Sequence, residues 1–186
     1  MNSRFLCLSI SVASACGASP TTATSPAATS PASPVATGGE YPDCRAAAIE
    51  PDLKRTPTQV ADAASPPTGD VWISTTYLAL TPDPKGQAIF RSLMTDMIRV
   101  LPSTPGLVSF RFATSEACLS ARTLAVWRDE ESLEAFVRSQ EHHAAMRQTN
   151  TLSRGSSTFT RWLGPIQSAE WARAAQELAT QDGPYQ

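Results

Sequence analysis

Residues 123–146 read TLAVWRDEESLEAFVRSQEHHAAM, and this stretch decides the fold because a strand runs directly into a helix. Residues 123–127 are mostly apolar or β-branched and end in a tryptophan, which is typical of a strand. Asp129 can cap the helix that follows, and Glu130 and Glu131 fall in its first turn, where the helix dipole favours acidic side chains. The stretch therefore predicts a single helix with a buried stripe of Leu133, Phe136, Val137 and Ala144.

Similar patterns predict three further strands and one further helix around this stretch. Residues 71–80 are rich in β-branched and aromatic side chains, residues 107–113 alternate between apolar and polar, and residues 157–163 form the last strand. Asp83 followed by Pro84 is typical of a helix start, because aspartate caps the first turn and proline fits its first position. The apolar stripe of that helix contains Ile89, Phe90, Leu93, Met97, Ile98 and Leu101.

The resulting order of elements predicts an α+β domain of the ferredoxin-like type over residues 71–165. In this βαββαβ order, four strands form an antiparallel sheet with both helices on one face. The other face is expected to be apolar and uncovered, and a second copy of the chain is its natural cover, so we expect a homodimer. Residues 166–186 add a tail and a C-terminal helix near residues 168–180. This helix packs on the domain or on a partner chain through Trp171, Ala175 and Leu178.

The first 39 residues predict export to the bacterial cell envelope. Residues 1–16 resemble a signal peptide, because Arg4 precedes a short apolar run and small residues lead up to Cys16. Residues 13–16 are similar to the lipobox of bacterial lipoproteins, in which the cysteine is lipidated and anchors the protein to a membrane. The alternatives are ordinary cleavage, giving a secreted or periplasmic protein, and a buried N-terminal helix. Residues 17–39 consist mainly of Ala, Ser, Thr and Pro, which predicts a disordered tether.

Residues 40–70 contain five prolines and little periodicity, which predicts a mostly coil arm with a short helix near residues 58–64. Cys7 lies in the signal peptide and Cys16 is the lipidation candidate. Cys44 and Cys118 are left as a pair, and an oxidising compartment favours a disulfide between them. Such a bond would join the arm to the loop between the second and third strands. Two unpaired thiols are the alternative.

Charge and motif spacing argue against several classes of function. The formal net charge is -2 and the sequence pI is about 5.7, so we expect no nucleic-acid partner. His142 and His143 are adjacent and point about 100° apart around a helix, so they cannot chelate one metal ion together. No cysteine or carboxylate cluster has zinc spacing. Ser139 with His142 lacks the nucleophile elbow and third member of a hydrolase triad.

Four positions of the opening stretch carry a family resemblance: Trp127 at the strand end, Phe136 in the helix, then Ser139 and His142. This pattern resembles the antibiotic biosynthesis monooxygenase-like domains of the dimeric α+β barrel superfamily. The resemblance covers residues 71–165. It implies that two sheets close a barrel in a dimer and that each protomer has a pocket between its sheet and helices. Members include cofactor-independent oxygenases of polycyclic phenols, haem-degrading enzymes, chlorite dismutase relatives and proteins of unknown activity.

The haem-degrading branch fits poorly when its residues are carried over. In that branch the resemblance implies an Asn on the first strand, a Trp in the second helix and a later His that binds haem. Here residues 71–80 contain no Asn, and the other two positions fall on Phe136 and Met146. Haem binding through His142 or His143 has no other support in the sequence, so no cofactor is expected.

The oxygenase branch implies a set of candidate site residues. A bound phenol must lose a proton before its carbanion reacts with oxygen, and a neutral histidine can accept that proton, which makes His142 the candidate base. Arg111 or Arg138 could stabilise the developing oxyanion. Aromatic walls would hold the ring and exclude water, and the candidates are Trp127, Phe136, Tyr77 and Phe110.

Simpler interpretations of the same residues stay open. Glu134, Arg138 and His142 recur at four-residue steps, which is typical of a row of ion pairs in solvent. Trp127 could be ordinary core between sheet and helix. The protein would then be a non-catalytic envelope module that binds a ligand or a partner. An apolar pocket with His142 pointing inward favours the oxygenase hypothesis, whereas a filled interior with both histidines in solvent favours the binding module.

Overall fold

The structure is a computed structural model that describes residues 41–45, 52–61 and 67–181. The predicted signal peptide, the lipidation candidate Cys16 and the tether over residues 17–39 lie outside the described residues. The described residues contain no helix long and apolar enough to cross a membrane.

An antiparallel sheet of four long and two short strands forms the centre of the described part of the molecule. Its long strands are β3 (Asp70–Leu80), β4 (Leu107–Ser115), β5 (Ser120–Trp127) and β6 (Ser153–Pro165), arranged in the order β4-β5-β3-β6. Two short strands of the arm, β1 (Lys54–Arg55) and β2 (Gln59–Val60), pair with β4 at the edge of the sheet. The α+β, ferredoxin-like βαββαβ fold predicted from the sequence is confirmed. The short helix predicted near residues 58–64 is wrong where described, because Gln59–Val60 is a strand.

Helix α1 (Pro84–Val100) begins as the sequence predicts. The Asp83 carboxylate accepts a hydrogen bond of 2.9 Å from the Gly86 N–H, and Pro84 occupies the first turn. A short 3₁₀ turn, Leu101–Ser103, follows the helix and leads towards β4.

The single helix predicted after β5 is wrong, because the chain forms three short helices there. These are α2 (Glu130–Val137), α3 (Gln140–Met146) and α4 (Thr149–Leu152). Asp129 caps α2 as predicted, through a bond of 2.8 Å from the Ser132 N–H. The break falls at Arg138 and Ser139, where the Ser139 hydroxyl accepts a bond of 3.1 Å from the His142 N–H and so starts a new helix.

One face of the sheet packs against the helices and forms the main apolar cluster. Phe110, Phe112 and Trp127 project from the strands towards Leu133 of α2 and the methionines of α1. Successive side chains of a strand point to opposite faces, so Ser74 and Thr76 of β3 share this helix face, while their neighbours point away.

The opposite face of the sheet is covered by the chain itself, which corrects the expectation of an uncovered apolar face. Helix α5 (Trp171–Ala179) packs Trp171 and Ala174 against Val71 and Ile73 of β3, and each of these four side chains is buried. This was one of the two places predicted for the C-terminal helix. In the part of the chain described, α5 takes the place on this face that a second copy was expected to fill, and the homodimer stays a prediction.

The arm is fastened to the same face by a disulfide and two arginines. Cys44 Sγ is bonded to Cys118 Sγ, and both residues are buried beside Leu178 of α5. The Arg122 guanidinium donates to the Cys44 carbonyl oxygen at 2.7 Å, and Arg154 donates to the carbonyl oxygens of Tyr41, Pro42 and Cys118. The two cysteines that the sequence leaves as a pair thus close the arm over the sheet.

Candidate functional site

A cavity of about 200 Å³ lies between the helix face of the sheet and helices α1 to α4. Its lining is mostly aromatic and aliphatic, and its polar residues are serines, threonines, His142 and Arg111. The main apolar side chains are Phe90, Leu93, Met94, Met97, Phe110, Phe112, Trp127, Phe136, Val137, Met146 and Phe159. Such an apolar cavity with a few polar groups is typical of a small-molecule site.

Trp127 and Phe136 form the aromatic wall of this cavity. Their ring centroids are 5.1 Å apart, and the Phe136 ring is in turn 5.1 Å from the His142 ring. The Trp127 indole N–H donates to the Ser74 hydroxyl oxygen at 2.9 Å, which fixes the plane of the indole. Because Trp127 is 1% exposed, its ring serves both as core and as a wall of the cavity.

His142 lines the cavity because of the helix break. Its Nδ1 lies 2.9 Å from the Val137 carbonyl oxygen. A carbonyl can only accept, so Nδ1 carries the proton in the neutral imidazole and Nε2 keeps its lone pair. Burial lowers the pKa of His142 below its ordinary value of 6.5; the Val137 carbonyl opposes this shift, and neighbouring His143 adds to it. His142 is therefore neutral at pH 7 and able to accept a proton.

The predicted row of ion pairs is only half present. Arg138 Nη1 lies 3.5 Å from Glu134 Oε2, in solvent. His142 does not extend this row, because the break at Ser139 changes the helical phase and turns His142 towards the cavity. His143 is exposed.

Three predicted site residues lie elsewhere. Tyr77 points to the opposite face of β3, where it is fully buried beside the disulfide. Arg111 borders the cavity, but its guanidinium donates to the Ala169 carbonyl oxygen and lies 5.8 Å from the Trp171 ring centroid, on the face covered by α5. Arg138 is exposed on the outer surface. Neither arginine is placed to stabilise an anion in the cavity, because strand alternation and the helix break direct both away from it.

Two hydroxyl groups on the sheet side of the cavity were missed by the sequence analysis. Thr76 Oγ1 and Thr123 Oγ1 are 2.7 Å apart across β3 and β5, which pair directly at these two residues. Both face the cavity. Period-two alternation could have found Thr123, which shares its strand face with the predicted Trp127. It could not have found Thr76, because Thr76 alternates with Tyr77, which was predicted to line the site. Phe112 shares the face of Phe110 by the same alternation.

The described residues lack a cluster of side chains that could bind a metal ion. They contain no group of three or more His, Cys, Asp or Glu side chains that could hold one. The only imidazole on the cavity, His142, already uses one ring nitrogen for the Val137 carbonyl.

A surface groove of about 470 Å³ adjoins the cavity between α1 and α2. Met97, Leu101 and Phe136 line both the groove and the cavity, so the groove is the natural approach to it. Its rim carries the carboxylates of Asp129, Glu131 and Glu141, and none of the described lysines or arginines lines it.

The fold and this site define a ferredoxin-like α+β domain with an apolar cavity under its helices. Residues 75–148 match the model of the antibiotic biosynthesis monooxygenase family. This segment includes the hydroxyl pair, the aromatic wall and His142. It spans less than half of the chain and leaves out the first five residues of β3, together with α4, β6, α5 and the arm.

Several solved structures are similar to the chain. The haem-degrading enzyme LmHde of Listeria monocytogenes is 14% identical, with a TM-score of 0.49 over 61% of this chain and 71% of that chain. A protein of unknown function from Jannaschia sp. CCS1, described as dimeric and ferredoxin-like, is 15% identical with a TM-score of 0.44 over 50% and 97%. Rv0793 of Mycobacterium tuberculosis is 18% identical with a TM-score of 0.44 over 52% and 95%. Identities this low say nothing about a shared activity. No curated protein matches the chain significantly.

Proposed function

We propose that the protein binds a small apolar or aromatic molecule in the cavity and oxygenates it without a cofactor, with His142 as the base. The observation that carries the proposal is the position of His142. It lines an apolar cavity of about 200 Å³ with Nδ1 bonded to the Val137 carbonyl, so the neutral ring presents a basic Nε2. The match of residues 75–148 to a monooxygenase family supports the same reaction class.

In the proposed reaction, His142 accepts the hydroxyl proton of a bound phenol, and the negative charge moves onto a ring carbon that carries one hydrogen. That carbon adds O₂, and the imidazolium returns its proton to give a hydroperoxide. Loss of water from the hydroperoxide leaves a quinone carbonyl. One oxygen atom enters the product and the other leaves as water, so O₂ is the only oxidant and no external reductant is consumed.

The proposal is tested with 1-naphthol and the full chain in ¹⁸O₂. We expect one O₂ consumed and one labelled oxygen incorporated per 1,4-naphthoquinone formed, and we expect His142→Gln to abolish turnover. His143→Gln is the matched control, because His143 is exposed and its loss should leave turnover unchanged. Binding of 1-naphthol without oxygen consumption would instead identify a non-catalytic binding module, and no binding would contradict both.

We propose further that the chain is exported and anchored through Cys16 to a membrane of the bacterial cell envelope. The Cys44–Cys118 disulfide supports export, because such bonds persist mainly in oxidising compartments. Fractionation of cells that express the full chain tests this. The protein should be in the membrane fraction, and Cys16→Ala should leave it as an uncleaved or soluble form; wild-type protein in the cytosol would contradict the proposal.

A further inference from the structure

The cavity has a polar end that the proposed function does not yet use. The candidates for anion stabilisation, Arg111 and Arg138, have their guanidinium groups elsewhere, so a polar atom of the ligand needs another partner. The Ser74 hydroxyl is already bonded to Trp127. The hydroxyl pair of Thr76 and Thr123 lies across the same face of the sheet and borders the cavity.

The hydroxyl pair can form a further hydrogen bond to a ligand. In a bond of 2.7 Å between two threonine hydroxyls, one donates and the other accepts. The accepting hydroxyl keeps its own hydrogen, and both oxygens keep lone pairs. A ligand oxygen placed beside the pair can therefore receive a hydrogen bond from it.

Thr76 and His142 meet in one recess of the cavity. The recess has a volume of about 40 Å³, and every residue that lines it also lines the larger cavity: Thr76, Val137, His142, Met146, Ser157 and Phe159. A cavity needs about 10–15 Å³ of such space to hold one water molecule, so the recess has room for a hydroxyl or carbonyl oxygen. The remainder of the cavity is mostly aromatic and aliphatic, with Thr123 among its few polar residues.

Charge around the cavity selects against anions. His142 is held neutral by burial, and the guanidinium group of Arg111 is engaged on the other face of the sheet. The approach groove carries Asp129, Glu131 and Glu141 on its rim. A carboxylate ligand would pass these negative charges and then lose its hydration without gaining a positive partner, which is costly.

We propose that Thr76 and Thr123, together with His142, form an oxygen-binding end of the cavity, so that its ligand is an uncharged molecule of one or two rings with a single hydroxyl or carbonyl oxygen. The size follows from the volume, since a cavity of about 150 Å³ in another protein holds benzene and this one is about 200 Å³. This inference rests on the proposed function for the use of the cavity. It adds the threonines as positioning residues and sets the charge and size of the ligand.

Three probes of similar size test the inference by equilibrium dialysis against the full chain at pH 7.5 without oxygen, so that the ligand is not consumed. They are 1-naphthol, naphthalene, which lacks the oxygen, and 1-naphthoate, which carries a charge. We expect 1-naphthol to bind about tenfold more tightly than naphthalene, the worth of one buried hydrogen bond. We expect 1-naphthoate to bind at least tenfold more weakly than 1-naphthol.

Matched variants show whether Thr76 is responsible. Thr76→Val keeps the shape and removes the hydroxyl, so it should lower 1-naphthol affinity about tenfold and leave naphthalene affinity unchanged. Thr76→Ser should restore the affinity, which also separates a lost hydrogen bond from misfolding. Thr160→Val is the control, because Thr160 is a buried threonine on the opposite face of the sheet.

The outcomes separate this inference from the proposed function. Equal binding of 1-naphthol and naphthalene, or an equal loss of both in Thr76→Val, overturns the oxygen-binding end while leaving an apolar site in place. Tight binding of 1-naphthoate overturns the selection for uncharged ligands. Failure of all three probes to bind overturns the proposed function and this inference together.

Discussion

Two contacts with nearby residues of the chain set the tautomer and the position of His142. The Val137 carbonyl holds the proton on Nδ1, and the Ser139 hydroxyl accepts from the His142 N–H. The His142 ring is partly buried beside Phe136, and this burial lowers its pKa and keeps the ring neutral at pH 7. A base in this state needs no further residue to set its tautomer, which is why a single histidine suffices in the proposed reaction.

The lowered pKa of His142 makes stability depend on pH in a defined window. Unfolded His142 binds a proton near pH 6.5, whereas the folded protein binds it only at lower pH. Protonation therefore favours the unfolded state below about pH 6.5. We expect the melting temperature to be highest above pH 6.5 and to fall as the pH drops from there through the folded pKa.

Calorimetry between pH 5 and 7.5 checks this expectation and lies above the range in which aspartates titrate. His142→Gln should flatten the pH dependence in this window. His143→Gln removes only the smaller contribution of His143 to the lowered pKa of His142 and should leave most of the pH dependence in place. A slope that survives in His142→Gln would show that another group causes it.

At the scale of elements, the break between α2 and α3 places His142, the proposed base, on the cavity. An unbroken helix over residues 130–146 would extend the row of Glu134 and Arg138 and leave His142 beside them in solvent. Ser139 prevents this because its side chain caps α3 in an extended backbone conformation. The N-cap is therefore a determinant of the site as well as of the helix.

Removing the cap should weaken both the helix and the site. Ser139→Ala leaves the His142 N–H without its acceptor, so we expect a loss of about 1 kcal/mol in the free energy of unfolding, the usual worth of an N-cap. We also expect a lower affinity for 1-naphthol. Ser139→Asp retains a capping oxygen and should recover both quantities. Urea unfolding and equilibrium dialysis measure them; an unchanged affinity in Ser139→Ala would separate the cap from the site.

At the scale of the whole molecule, α5 and the arm bury the sheet face that does not contact α1 and α2. Leu178 is fully buried against Tyr77 and the disulfide. We expect Leu178→Ala to lower the free energy of unfolding by about 3 kcal/mol, within the usual range for a buried leucine. Gln176→Ala, on the exposed side of the same helix, should change it little. Urea unfolding with light scattering would show the loss, together with any self-association through the loosened face.

The disulfide fixes the arm on the same sheet face as α5. It joins residues 74 positions apart, so in the chain-entropy model its closure stabilises the fold by about 4 kcal/mol. We expect a reductant to lower the urea midpoint of the wild-type protein. The double variant Cys44→Ala, Cys118→Ala should have the low midpoint from the start and show no further change with reductant. Equal midpoints for the oxidised and reduced wild type would contradict this stabilising role.

The sequence predicted the parts of the site that local patterns determine. Asp83 and Asp129 cap their helices, and Phe110 and Trp127, two of the predicted wall residues, line the cavity. The same reasoning failed for Tyr77 and Arg111, because alternation gives two faces but does not say which one the helices cover. It failed at Arg138 because a helical pattern does not show where a serine will restart the helix.

By itself the sequence determined the order of the four long strands and the positions at which α1 and α2 begin, since periodicity, caps and turns are local properties of the chain. The tertiary structure alone decided which sheet face holds the cavity, that His142 turns inward, and that Thr76 and Thr123 meet across two strands. It also decided that α5 covers the second face. Each of these depends on contacts between residues far apart in the chain, and such contacts leave no periodic trace in a single sequence.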